Sequence, residues 1–325
     1  MRHPAITRLA WSTLAFTLVV VAWGGFVRAA GAGAGCGSHW PLCNGVVLPR
    51  GAAAETLIEF THRATSGIAF LLVGYLLWRV MQAVPPRHPA RGAASTAMTF
   101  MVLEALVGAG LVKFGLVADN DSVARAVVLG VHLVNTFFLL GALALTAAWV
   151  SGSPAVSLRH RPSLAGIWAV ALLALLCVGV SGAVAALGDT LFPATSLGAG
   201  LRDDLSPTAH ILVRLRVLHP LLAVLAGSGV LALALSAMLR ERRAQPANLG
   251  RLLGTLIVVQ FAVGLLNLVL LAPIPLQLVH LVMADLVWIG AVLLAAAQLA
   301  TSEAADIAAP PADAGPVRAA TLATR

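Results

Sequence analysis

Four histidines recur in equivalent apolar settings: His62 in Glu-Phe-Thr-His-Arg, His132 in Gly-Val-His-Leu-Val-Asn, His219 in Arg-Val-Leu-His-Pro-Leu and His280 in Gln-Leu-Val-His-Leu-Val. Imidazole is both a metal ligand and a proton carrier, and ionisable side chains inside hydrocarbon are costly enough to mark function. A single histidine in a helical bundle is ordinarily polar glue between helices. Four in matching places point instead to a shared ligand. A planar iron porphyrin between two helices needs one nitrogen from each side, whereas zinc would want a closed cluster with added cysteine or carboxylate ligands. Two histidine pairs therefore predict two hemes.

The elements that carry these histidines must be membrane spans. Hydrophobic residues make up 59% of the 325-residue chain, charged residues only 10%, and the mean hydropathy is +0.93. Such a composition lies outside the soluble range. The net charge of +8 is scattered through short loops with no basic stripe interleaved with aromatics, so nucleic acid is not an expected partner. Runs of roughly 20 apolar residues predict eight spans, at 9–29, 57–82, 93–117, 124–150, 163–187, 208–239, 250–272 and 275–299. Arg2, Arg8, Arg87, Arg91, Arg159, Arg161, Arg240, Arg242, Arg243 and Arg251 then place the N-terminus, alternate loops and C-terminus in the cytoplasm. Asp119, Asp121, Asp189, Asp203 and Asp204 fall on the outer side. The first span is too long for a signal-peptide core and has no convincing cleavage site. At 1.5 Å rise per residue, each histidine lies roughly 7–16 Å below the outer boundary.

A weak internal repeat orders the spans. Gly25-Phe-Val-Arg-Ala-Ala-Gly31 aligns with Gly182-Ala-Val-Ala-Ala-Leu-Gly188, which puts His62 on His219. Glu104-Ala-Leu-Val-Gly108 matches Gln260-Phe-Ala-Val-Gly264, and His132 then falls on His280. Four spans per half is an even number, so both halves enter the membrane the same way. The expected fold is an all-α polytopic membrane protein of two tandem four-helix bundles. Its divisions are a first repeat at 1–150, a cytoplasmic linker at 151–162, a second repeat at 163–299 and a disordered cytoplasmic tail at 300–325.

Three motifs carry a resemblance to a known family: Gly24-Gly25-Phe-Val-Arg28, the loop Cys36-Gly-Ser-His-Trp40-Pro41-Leu-Cys43-Asn44-Gly45, and Glu59-Phe-Thr-His62-Arg63. Together with the eight spans and four histidines they closely resemble the heme A synthases, over about residues 9–299. The resemblance implies an oxidoreductase of the plasma membrane that converts the C8 methyl group of heme O to a formyl group by successive hydroxylations, giving heme A for cytochrome oxidase. It implies heme O at His62 and His132 in the first half, and heme b as cofactor with His219 and His280 as axial ligands in the second. It also implies that Cys36 and Cys43 form a disulfide, either a staple of the outer loop or a redox participant. The chain lacks the second outer cysteine pair of some members, and His39 stands where an acid commonly precedes the Trp-Pro pair. Both departures argue against a relay of two disulfides.

The halves differ near their first histidines. Glu59 precedes His62 by one helical turn, while the equivalent residue before His219 is Arg216. Glu59 is thus the catalytic candidate, its alternative role being an ion pair with Arg63 one turn on. Arg28, Arg63, Arg125, Arg214 and Arg216 lie near outer ends of spans and are candidates for the anionic heme propionates, with snorkelling to lipid phosphate as the alternative. Lys113 reads either way, Cys177 reads as a free core thiol, and Glu104 and Asp285 are deeper acids without an assigned partner. Expected partners are heme O from a heme O synthase, membrane lipid, an electron acceptor and, as an option, a second copy in a homo-oligomer. Two other functions fit the same spans: a di-heme b-type cytochrome serving quinone, and a two-repeat transporter with a proton relay.

Overall fold

The computed structural model describes residues 4–300, and the expected tail beyond Ala300 lies outside the described residues. Among them the fold is helical, with no strand and eight helices long and apolar enough to cross a membrane. The long elements are α1 (Pro4–Ala29), α2 (Ala54–Ala83), α3 (Pro89–Lys113), α4 (Val123–Val150) and α5 (Pro162–Leu191). They continue with α8 (Leu218–Arg240), α9 (Ala244–Val269) and α10 (Ile274–Leu299), while two short helices, α6 (Leu197–Leu205) and α7 (Ile211–Leu215), precede α8. Large apolar side chains such as Leu71, Val170, Leu225 and Leu239 are exposed along these helices. A soluble protein does not present its surface this way. The chain is a multi-pass membrane protein.

Local chemistry explains the helix ends. Pro89 and Pro162 sit in first turns, where the missing N–H is no loss. The Ser122 hydroxyl caps α4 by accepting the Arg125 amide at 3.2 Å. The third span stops at Lys113, earlier than hydropathy suggests, because Gly115 takes a positive φ of 63° and turns the chain. The sixth span is broken, with α7 ending at Leu215 and α8 beginning at Leu218. Pro220 is the cause, since its ring excludes the carbonyl four residues earlier, at Arg216. The first half has Arg63 at the matching place and α2 runs through unbroken.

Helices α1 to α4 pack each on the next, with α4 returning to α1, and α5, α8, α9 and α10 do the same. Contacts of α4 with α5 and α10, and of α1 with α10, join the two rings. The core therefore centres on α4 and α10. Phe137 and Trp288 stack there with centroids 5.1 Å apart, and the Trp288 indole N–H donates to the Phe137 carbonyl. Between α5 and α10, the buried Trp168 indole donates to Gln298 Oε1 at 2.8 Å.

Candidate functional site

A cavity of about 1690 Å³ runs through both rings and is lined by all four histidines. Small-molecule sites usually occupy roughly 300–1,000 Å³, so this space exceeds one ordinary ligand. Its walls are mainly apolar, with Val20, Leu129, Leu175 and Phe261 among the lining residues. Arg28, Arg63, Arg125 and Arg216 also line it.

Glycines seat three of the histidine rings. A methyl group on Gly24 would lie 2.9 Å from His62 Cε1, one on Gly182 3.0 Å from His219 Cε1, and one on Gly264 3.0 Å from His280 Cε1. The ring of each histidine thus lies directly on a neighbouring helix backbone. His132 differs, because nothing lies within 4 Å of a methyl on Gly108, the residue that the repeat aligns with Gly264. The seat of His62 is also Gly24 rather than Gly25, one residue off the register of the repeat.

The second histidine pair has the spacing that heme ligation requires. The His219 and His280 rings have centroids 6.1 Å apart and stand at 88° to one another. Two metal–imidazole bonds of about 2 Å, with roughly 1 Å more from each nitrogen to its ring centre, span about 6 Å. Ser181 Oγ lies 3.2 Å from His219 Nδ1, and the Gln260 amide nitrogen lies 3.5 Å from His280 Nε2. In the first half, His132 Nδ1 stands 3.5 Å from Glu104 Oε2. Among the described residues, the Nδ1 atoms of His62 and His280 are buried without a hydrogen-bond partner. Such orphan imidazole nitrogens around an apolar cavity are suited to a ligand bearing metal. Among the described residues no three His, Cys, Asp or Glu side chains gather as a metal cluster.

Glu59 is buried and fully engaged. Its Oε2 accepts the Cys36 amide at 2.8 Å, and its Oε1 accepts from Arg63 Nε at 3.1 Å and from Arg63 Nη2. Arg63 in turn donates through Nη1 to the carbonyls of His39 and Leu42. The pair clamps the Cys36–Cys43 loop, closed by a disulfide, onto α2. Gly35 allows the loop to come so close, since a methyl there would sit 2.5 Å from the Glu55 backbone. Trp40 and Pro41, joined by a cis peptide bond, face the cavity from this loop.

The five arginines have different surroundings. Arg216 is saturated by Asp189 at 3.1 Å, Asp204 at 2.7 Å and the Phe192 carbonyl. Arg28 reaches from α1 to the Ala186 carbonyl and Thr190 on α5 and to Gln277 on α10, tying the rings together. Arg125 is only 3% exposed, donates through Nη1 to the Ala118 and Asn120 carbonyls, and leaves Nε buried without a partner. Arg214 is exposed and does not line the cavity. Glu104, which the sequence left without a partner, accepts from Thr136 Oγ1 at 2.6 Å and from Asn135 Nδ2. Asp285 is fully buried, and among the described residues neither of its oxygens has a hydrogen-bond partner. Cys177 is exposed on α5 rather than a core thiol. The glycine seats and Ser181 went unread in sequence, although the repeat glycines were the available signal.

The family model described as COX15-CtaA, cytochrome oxidase assembly protein, matches residues 7–292. Two Thermus thermophilus proteins named protoheme IX farnesyltransferase are each 50% identical over 294 residues, which is 89% of this chain and 48% of theirs. A heme A synthase from an Exiguobacterium species is 34% identical over 156 residues, 48% of this chain and 50% of its own. A heme A synthase from Bacillus mycoides is 41% identical over 101 residues, 30% of this chain and 32% of its own. The chain spans about half the length of the curated Thermus relatives it matches.

Proposed function

Because the chain belongs to the COX15-CtaA family of cytochrome oxidase assembly proteins, we propose that it is a heme A synthase, an oxidoreductase that turns the C8 methyl of heme O into the formyl group of heme A. The observation that carries this reading is the shared cavity with one histidine pair in each ring, the second pair at bis-imidazole spacing. The first ring, residues 1–150, would hold substrate heme O between His62 and His132. The second, residues 163–299, would hold heme b between His219 and His280. Heme iron supplies one-electron and oxygen chemistry that no side chain here supplies.

This chain's own residues bind and orient. Arg125 is the first choice for a propionate, because its unpaired buried Nε needs an anion. Arg28 follows, with donors left beyond its three bonds. Arg63 and Arg216 are occupied by carboxylates, so their role is to hold the loops that roof the cavity. Glu59 fixes the disulfide loop over the first site, and a proton-accepting role for it would require release of Arg63. The sites face the extracytoplasmic side of the plasma membrane, following the charge bias of the loops.

The farnesyltransferase name on the Thermus relatives describes proteins about twice the matched length. Heme O, the product of a farnesyltransferase, is the substrate proposed for this chain, which makes such an enzyme its natural supplier. The test is chromatography of pigments extracted from the purified protein and from His62→Ala. Heme b together with heme O or heme A supports the synthase. Heme b alone would identify a cytochrome, and no pigment would leave the transporter.

A further inference from the structure

The repeat sets Glu104 against Gln260, each one turn before a glycine on the helix facing the second histidine of its half. Their surroundings have opposite character. Glu104 receives hydrogen bonds from Thr136 at 2.6 Å and from Asn135, which favour the carboxylate, and presents Oε2 at 3.5 Å to His132 Nδ1. That nitrogen is buried, and among the described residues no group other than Glu104 is placed to accept its proton. Gln260 is a neutral amide, whose nitrogen donates to the His280 carbonyl at 3.2 Å and stands 3.5 Å from His280 Nε2. One site therefore has an anion behind its ligand and the other does not.

A metal-bound histidine whose second ring nitrogen gives its proton to a carboxylate is a stronger donor than one facing a neutral group. A stronger donor, with a negative charge beside it in a low-dielectric interior, favours the oxidised and more positive iron. We infer that Glu104 is a positioning residue that holds His132 with Nδ1 toward α3 and Nε2 toward the cavity, and that it sets the His62/His132 site at a lower reduction potential than the His219/His280 site. The inference rests on the heme reading of the two histidine pairs.

The two variants that exchange these residues test it. Charge-assisted hydrogen bonds are roughly twice as strong as neutral ones. Glu104→Gln should therefore raise the reduced-to-oxidised ratio of the first site about tenfold at fixed ambient potential, equal to about 59 mV for one electron. The second site should not move. Gln260→Glu should shift the second site in the opposite sense and leave the first in place. Spectroelectrochemical titration of the purified, heme-loaded protein reads both, and total heme content reports whether each variant folds and loads. A merely structural Glu104 would change heme content or thermal stability without moving a midpoint. If His132→Ala leaves every heme signal intact, the heme reading of this site falls and the Glu104 assignment with it. If His132→Ala removes a signal whose midpoint Glu104→Gln leaves unchanged, the Glu104 assignment alone falls.

Discussion

Adding one methyl group beneath an imidazole tests whether the glycine seats hold the histidines in place. In Gly264→Ala the new carbon would stand 3.0 Å from His280 Cε1, and in Gly182→Ala 3.0 Å from His219 Cε1. Carbon atoms rest at about 3.5–4.0 Å, so each ring must retreat by about 0.5 Å. Metal–ligand distances tolerate about 0.2 Å. Ring and metal therefore cannot both keep their places, and overpacking of this kind costs about 1–3 kcal/mol. Gly108→Ala is the control, because its methyl meets nothing within 4 Å. There the loss of a helical glycine should stabilise by about 0.5–1 kcal/mol. The assay is thermal unfolding in detergent together with the low-spin heme absorption of each purified variant. Gly264→Ala and Gly182→Ala should lose low-spin absorption and melt earlier, while Gly108→Ala keeps both. Equal damage from Gly108→Ala and Gly264→Ala would refute the seating argument.

Two further outcomes follow from the outer loop. The double variant Cys36→Ser, Cys43→Ser should lose about 2–3 kcal/mol of stability yet keep measurable turnover, since Glu59, Thr56 and Arg63 still hold the loop; a well-folded, heme-loaded variant with no turnover would show a redox role instead. Arg63→Ala should destabilise more than Glu59→Gln, because it strands a buried carboxylate at a cost of about 3–5 kcal/mol, whereas the amide can still accept the Cys36 N–H. A stable, heme-loaded Glu59→Gln protein that accumulates heme O would restore Glu59 as a proton acceptor.

The spans were legible because a bilayer demands long apolar helices, and hydropathy is a sum over many residues. The eight helices stand within several residues of where that sum put them, and each histidine lies on one of them. Single-residue departures were harder to read. Pro220 carried enough information to break the sixth span, but the surrounding apolar run outweighs one residue in a hydropathy window. Amphipathic α6, with Leu197, Leu201 and Leu205 exposed one turn apart, is too short and too polar to register as a span. The arginines were legible as cations near the ends of spans, yet the sequence could not say which of them has a counterion already. That depends on Asp189 and Asp204 meeting Arg216 across a loop.

The difference between the halves is also not where a local motif placed it. Glu59 against Arg216 looks like a contrast between an acid and a base beside His62 and His219. In three dimensions each is paired, Glu59 with Arg63 and Arg216 with Asp189 and Asp204. Both residues end up fastening loops over the cavity, one through the Cys36 amide and the other through α6. The charge contrast that survives folding is Glu104 against Gln260, because Glu104 Oε2 stands 3.5 Å from His132 Nδ1 and, among the described residues, no Arg or Lys pairs with Glu104. A motif read by spacing alone weights residues near the histidine in sequence. The packed helices bring the partner from the neighbouring helix of the bundle, α3 for His132 and α9 for His280, and it is there that two sites built on one plan acquire different electronic surroundings.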